Sequence, residues 1–334
     1  MKIEKSKLKE ALEIVMPGLA TNDNIEGATS FCFMGGKVVT YNDEISVSCP
    51  VPDLDITGAV NASELYSFLN KVKGDELNLE ITENELLFKA GRAKAGLTLQ
   101  ADIKLPVEEL DEVTKWKKVP ADLLKALSFA MAACSKDNSK PILTCVHVNG
   151  DIVEASDNYR ITHFTLEEKV GVGEFLIPAS SCRAVIKMKP IKMAKSTGWI
   201  HFKAENEAVL SCRLFEDKFP ALAPHINVKG ASLIFPKSIE AILDRASIFA
   251  KRDRAIDENV LIEVSENKME IKSDSSTGWF SERAKTEYEG GSISFRITPY
   301  LLKDILKETN KGTISSSKLL FEGKSWKYLT MLKI

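Results

Sequence analysis

The sequence predicts an α+β chain of three similar domains, each with two helices packed on β-sheets. Two observations carry this expectation. Helix-like segments recur at a near-constant step, and alternating apolar and polar runs that read as strands follow each of them. A chain of 334 residues also suits two or three domains with sizeable cores.

The first set of anchors is SKLKEAL (6–12), ADLLKAL (121–127) and PKSIEAI (236–242), in which Ala11, Ala126 and Ala241 stand 115 residues apart each time. Their apolar residues keep helical spacing, and Ser6, the Pro120-Ala121-Asp122 entry and Pro236 suit helix starts. The second set is VNASELYSFLNKVK (60–73), IPASSCRAVIKMKP (177–190) and ITPYLLKDILKETN (297–310), with Val60, Ile177 and Ile297 spaced by 117 and 120 residues. Hairpin patterns follow: LNLEITENELLFKA, GWIHFKAENEAVLSCRL and GTISSSKLLFEGKSWKYLTML. Gly35-Gly36, Asn149-Gly150, Glu266-Asn267 and Gly290-Gly291 mark further turns between strands. The repeat puts the domains at 1–113, 114–226 and 227–334.

Hydrophobic residues make up 44% and charged residues 28%, an ordinary soluble globular composition. No apolar run reaches the roughly 18 residues that a membrane span needs. The start, MKIEKSKLKEALEIVMPGLA, lacks the apolar core of a secretory signal, so a cytoplasmic protein is expected. Six cysteines show no CxxC spacing and sit mostly in apolar segments, the pattern of reduced, buried thiols. The four histidines stand apart, and no GxxxxGK[ST], GxGxxG or GxSxG motif is present. No catalytic, cofactor-binding or metal-binding residue is assigned, and an enzyme is not expected.

The net charge of −2 hides a polarity: residues 1–113 carry −9, 114–226 carry +4 and 227–334 carry +3. The six helical segments, taken as 2–19, 61–73, 118–136, 178–192, 236–252 and 298–311, hold 20 positive and 9 negative residues. The rest of the chain holds 25 positive and 38 negative. If the helices share one side of the sheets, that side is basic and attracts nucleic-acid phosphates without reading sequence. An acidic exterior repels DNA elsewhere. The plain alternative is lysine filling solvated helix faces.

One further stretch, EASDNYRITHF (154–164), puts a Tyr-Arg pair straight after an Asp157-Asn158 turn, at the head of a half-buried strand. ASDNYRI (155–161) resembles the Ala-Thr-Asp-Gly-His-Arg-Leu turn and strand of the bacterial DNA polymerase III beta subunit, the processivity sliding clamp. EDKFPAL (216–222) is similar to that family's Gly-x-Phe-Pro-Asp-Tyr segment, and RASIFAKRD (245–253) to its Arg-Ala-x-Ile-Leu helix end. The C-terminal KYLTMLKI resembles Tyr-Val-Val-Met-Pro-Met-Arg-Leu. The resemblance covers essentially all 334 residues, as a diverged member, phage-type or otherwise.

The resemblance implies three clamp domains per chain and two chains closing head-to-tail as a homodimeric ring around double-stranded DNA. It implies a replicative DNA polymerase and a clamp loader as partners, and no membrane. Enclosure would hold DNA through weak, water-screened contacts that still permit sliding. A partner-peptide pocket would draw on Ser156, Asn158, Tyr159, Arg160, Ile161, Pro220, Tyr300, Leu329, Thr330, Met331 and Leu332. Aromatic and Arg side chains commonly anchor such contacts. The DNA-facing residues would include Lys5, Lys9, Lys125, Arg183, Lys187, Arg245, Lys303 and Lys307. Leu105, Ile248 and Phe249 would lie at the dimer interface. The chain departs from the family pattern at Asn158-Tyr159, at the missing C-terminal proline and at Pro224-His225, so its partner peptides are expected to differ. The competing reading is a non-enzymatic structural or virion protein of repeated domains that does not bind DNA. A hydrolase with dispersed carboxylates ranks lower, because no site converges.

Overall fold

The computed structural model describes residues 1–22, 24–103, 105–109 and 113–333. They fall into two compact units, Met1–Leu124 with Val170–Glu216, and Lys125–Lys169 with Asp217–Ile334.

In the first unit, eight strands form one sheet in the order Thr57–Asn61, Ser30–Met34, Lys37–Tyr41, Ile45–Pro50, Val209–Arg213, Trp199–Lys203, Lys192–Ser196 and Lys117–Lys118. Ile45 stands opposite Cys212 and Ser48 opposite Val209, so backbone pairing joins parts of the chain far apart in sequence. A four-stranded sheet runs Lys2–Glu4, Glu76–Ile81, Glu85–Ala90, Ala93–Thr98.

The second unit repeats the plan. Eight strands of its larger sheet run Cys145–Asn149, Ile152–Ser156, Arg160–Thr165, Trp326–Met331, Lys318–Glu322, Lys311–Ile314, Ala231–Ile234, Glu287–Tyr288. Its four-stranded sheet runs Gly278–Lys285, Lys268–Ser275, Val260–Ser265, Ser292–Ile297. Strands beginning at Ser30, Cys145 and Val260 keep the step seen among the helix anchors. The repeat read from sequence therefore recurs in the elements.

All six expected helices are present: α1 Lys5–Val15, α2 Ala62–Lys71, α3 Leu123–Met131, α4 Ala179–Met188, α5 Ile239–Ala250 and α6 Pro299–Leu306. Each is shorter than the segment expected, for local reasons. Lys2–Glu4 pairs as a strand with Glu76–Asn78, and Pro17 turns the far end of α1 into a short 3₁₀ turn. Asn61 caps α2 by accepting the Glu64 N–H at 3.0 Å, with Lys71 in the last turn. Lys189 ends α4 in the left-handed region at φ 54°. Pro299 opens α6 at a position where no N–H is needed.

The shorter helices change the charge argument. Within their observed bounds nine Lys and Arg stand against six Asp and Glu. Much of the positive excess lies in flanking turns, so the helices alone carry less contrast than the sequence suggested. No helix among the described residues is long and apolar enough to cross a membrane. The six cysteines are buried, and none of them is in a disulfide.

The second unit's core joins α5 and α6 to both of its sheets through Leu243, Leu302, Phe321 and Tyr328 on one side and Ile271 and Phe295 on the other, with Phe235 among them. Phe235 stacks on Phe321 with ring centres 5.9 Å apart, and Phe321 meets Tyr328 edge-on at 6.4 Å. Phe235→Ala is expected to lower unfolding free energy by about 3–5 kcal/mol, read from the urea midpoint at unchanged slope.

Candidate functional site

The Asp157–Tyr159 turn links two strands in register, with Ser156 opposite Ile161. Asn158 sits at φ 72°, a left-handed position that Asn tolerates. Asp157 Oδ1 accepts the Tyr159 and Arg160 N–H groups, each at 3.1 Å. The Ser156 hydroxyl donates to the Arg160 carbonyl at 2.8 Å and accepts the Asn158 N–H at 3.3 Å.

The Arg160 side chain is buried, with 6% of its surface exposed. Its Nε donates to Asp157 Oδ2 at 3.0 Å and its Nη1 to Asp304 Oδ2 at 2.6 Å. Tyr300 lies 5.3 Å from the guanidinium carbon, ring centre to Cζ. Burial opposes the guanidinium's charge, but Tyr328, Asp157 and Asp304 outweigh it and move its pKa up. Burial also pushes the Tyr328 phenol up, so its OH stays protonated and donates to the Leu301 carbonyl at 2.6 Å. Arg160 thus ties the turn to α6 and to the C-terminal strand, where it faces Thr330.

The eleven expected pocket residues divide by exposure. Tyr159 (42%) and Met331 (40%) are exposed, Asn158 and Pro220 are also open, and Tyr300 is half-buried. The Met331 N–H donates to the Tyr159 carbonyl at 2.8 Å, which holds these two neighbours together. Ser156, Arg160, Ile161, Leu329, Thr330 and Leu332 are buried. They form the support on which the exposed side chains stand.

The eight expected DNA-facing residues also divide. Lys125, Arg183, Lys187 and Lys307 are exposed. Arg245 is held by Glu282 at 2.9 and 2.7 Å, Lys303 pairs with Asp244, Lys9 lies 3.7 Å from Glu13, and Lys5 donates to the Val72 carbonyl at 3.0 Å. At the expected dimer interface, Ile248 is 63% exposed and Phe249 stacks on Phe280. Leu105 is buried in the first unit's own core with Cys32, Val39, Tyr41 and Trp199, so its side chain offers no surface.

Sequence reasoning missed Asp304, Tyr328 and the polar row His147–Glu154–His163. The only signal for that row was strand alternation, which sets the three side chains on one face once the hairpins are paired. Among the described residues, no group of three or more His, Cys, Asp or Glu is placed to hold a metal ion.

No protein-family model matches the chain, and no curated protein matches its sequence. Solved structures do. The DNA polymerase III subunit beta of Pseudomonas aeruginosa aligns over 100% of both chains with TM-score 0.84 and 16% identity. The DNA polymerase sliding clamp of Bacillus subtilis aligns over 100% of this chain and 98% of its own, with TM-score 0.82 and 19% identity. The beta subunit from the DNA polymerase of Streptococcus pyogenes aligns over 100% and 99%, with TM-score 0.83 and 19% identity. The chain therefore has the fold of a bacterial sliding-clamp protomer, along its whole length.

Arg160→Ala leaves Asp157 buried without its partner and is expected to cost about 3–5 kcal/mol of stability. Arg160→Lys should recover little, because one ammonium cannot reproduce the fork between two carboxylates. Denaturant unfolding followed by circular dichroism checks both.

Proposed function

We propose that two copies of this chain close head-to-tail into a ring that encircles duplex DNA and tethers a replicative DNA polymerase to it. The protein is a non-enzymatic processivity factor, with clamp domains at 1–113, 114–226 and 227–334 and a clamp loader as a further partner. The observation that carries this reading is the full-length fold shared with sliding clamps of several bacteria.

Ring closure draws support from the edge strand Gly278–Lys285, on which Trp279 is 75% exposed, and from α5, on which Ile248 is 63% exposed. Unpaired backbone groups on such an edge are a template for another chain. In this reading Ile248 meets the partner, Phe249 and Phe280 back it, and Leu105 acts from within the core. Partner peptides dock on Tyr159, Met331, Pro220, Asn158 and Tyr300, with the buried residues as scaffold. Among the cations, Lys125, Arg183, Lys187 and Lys307 bear most on DNA, because the other four are already engaged within the chain.

Enclosure makes a specific demand. The protein should stay on nicked circular DNA and leave when the circle is linearised, and Ile248→Arg should yield monomers and abolish retention. Equal retention on both forms, or none on the circle with a loader present, overturns the reading and favours a structural repeat protein. On short linear duplexes, replacing Lys125, Arg183, Lys187 and Lys307 by Ala should flatten the salt dependence of affinity by about one unit of slope per lost contact. Changing Arg245 and Lys303 should do less, with fluorescence anisotropy as the measure.

A further inference from the structure

A polar row in the second unit, buried at His147 and Glu154 and half-buried at His163, has no part in the reading above. His147, Glu154 and His163 stand in register on three adjacent strands. His147 Nδ1 lies 3.0 Å from Glu154 Oε1, and His163 Nδ1 lies 3.3 Å from Oε2. An ionised carboxylate only accepts, so each imidazole donates through Nδ1–H, and this fixes the orientation of both rings. Burial opposes ionisation of Glu154, yet the hydrogen bonds from the two imidazoles prevail and hold its carboxyl below the usual glutamate value. Among the described residues, charged groups nearby include Lys327, opposite His163, and Glu322, 2.8 Å from Lys327; Asp217 and Lys218 precede Phe219.

The oriented ring of His147 has a second contact. It stacks on Phe219, with ring centres 4.8 Å apart and planes at 25°. Phe219 is buried, as are Leu222 and Ile226 further along the same segment, whereas Pro220 between them is exposed. Residues 217–222 form neither helix nor strand, so side-chain contacts must set their course.

We propose that the His147–Glu154–His163 row seats the Phe219–Pro220 segment, making Glu154 and His147 positioning residues for the docking surface to which Pro220 belongs. The carboxylate locks the imidazole, the imidazole presents its face to Phe219, and Phe219 fixes the residue that follows it. The docking role rests on the function proposed above; the seating does not.

Amide hydrogen exchange tests the seating without any ligand, so failure of the docking reading leaves its outcome intact. Glutamine at 154 can accept from one imidazole but not from both. In Glu154→Gln, and independently in Phe219→Leu, the amides of Phe219, Ala221 and Leu222 should exchange about tenfold faster. Those of α5 should keep their rates. A depressed carboxyl lends its support above the ordinary glutamate pKa and loses it as pH falls through the folded value. After correction for intrinsic rates, wild-type exchange in 219–222 should therefore accelerate below about pH 4.5, and Glu154→Gln should lack that step. Unchanged rates in both variants, equal acceleration of α5, or a pH step that survives Glu154→Gln would each overturn the proposal.

Discussion

A guanidinium taken out of water must be paired and hydrogen-bonded where it lies, and Arg160 meets that requirement with groups from three parts of the chain. Asp157 comes from its own turn, Asp304 from α6 and Tyr328 from the C-terminal strand. An unpaired charge at this depth is costly, so these pairings favour the arrangement that brings the three elements together. The exposed Tyr159 and Met331 inherit their relative placement from that assembly. An exposed pair of side chains thus rests on a buried electrostatic constraint.

The same backbone device occurs in both units. Asn42 Oδ1 accepts the Glu44 and Ile45 N–H groups at 3.2 and 2.8 Å, as Asp157 does one repeat later, and Asp43 takes φ 74° where Asn158 takes 72°. The charge around the two turns differs. In the first unit Arg213, on the neighbouring strand, binds Asp43 Oδ1 at 2.7 Å and lies over Trp199 at 4.7 Å, with its side chain about half exposed. In the second unit the arginine sits inside the turn and is buried. Turn geometry is set locally by one side-chain oxygen and one left-handed residue, so it survives while the surrounding side chains diverge.

This locality explains what could be read in advance. Helix positions and the repeat step were legible, because apolar spacing and capping residues act over a few positions. Helix ends were less so, since strand pairing of Lys2–Glu4 with residues 76–78 cannot be seen in a periodicity. The sequence shows Arg160 next to a turn and invites an open pocket wall. Its burial depends on Asp304 and Tyr328, 144 and 168 residues away. Tyr159, Pro220 and Met331, named through the resemblance, are exposed. Leu105 carries no sequence mark that separates a core leucine from an interfacial one.

The buried cysteines have a practical consequence. Burial pushes the Cys32 thiol up to about 12 and Cys49 to about 11, and moves Cys134 and Cys212 upward as well. Alkylation and disulfide exchange proceed through the thiolate, which these four scarcely form at neutral pH. A single cysteine engineered onto an open strand or loop would then be the preferred target for a dye, a spin label or a crosslinker. Those four native thiols could stay in place while that one reporter is followed.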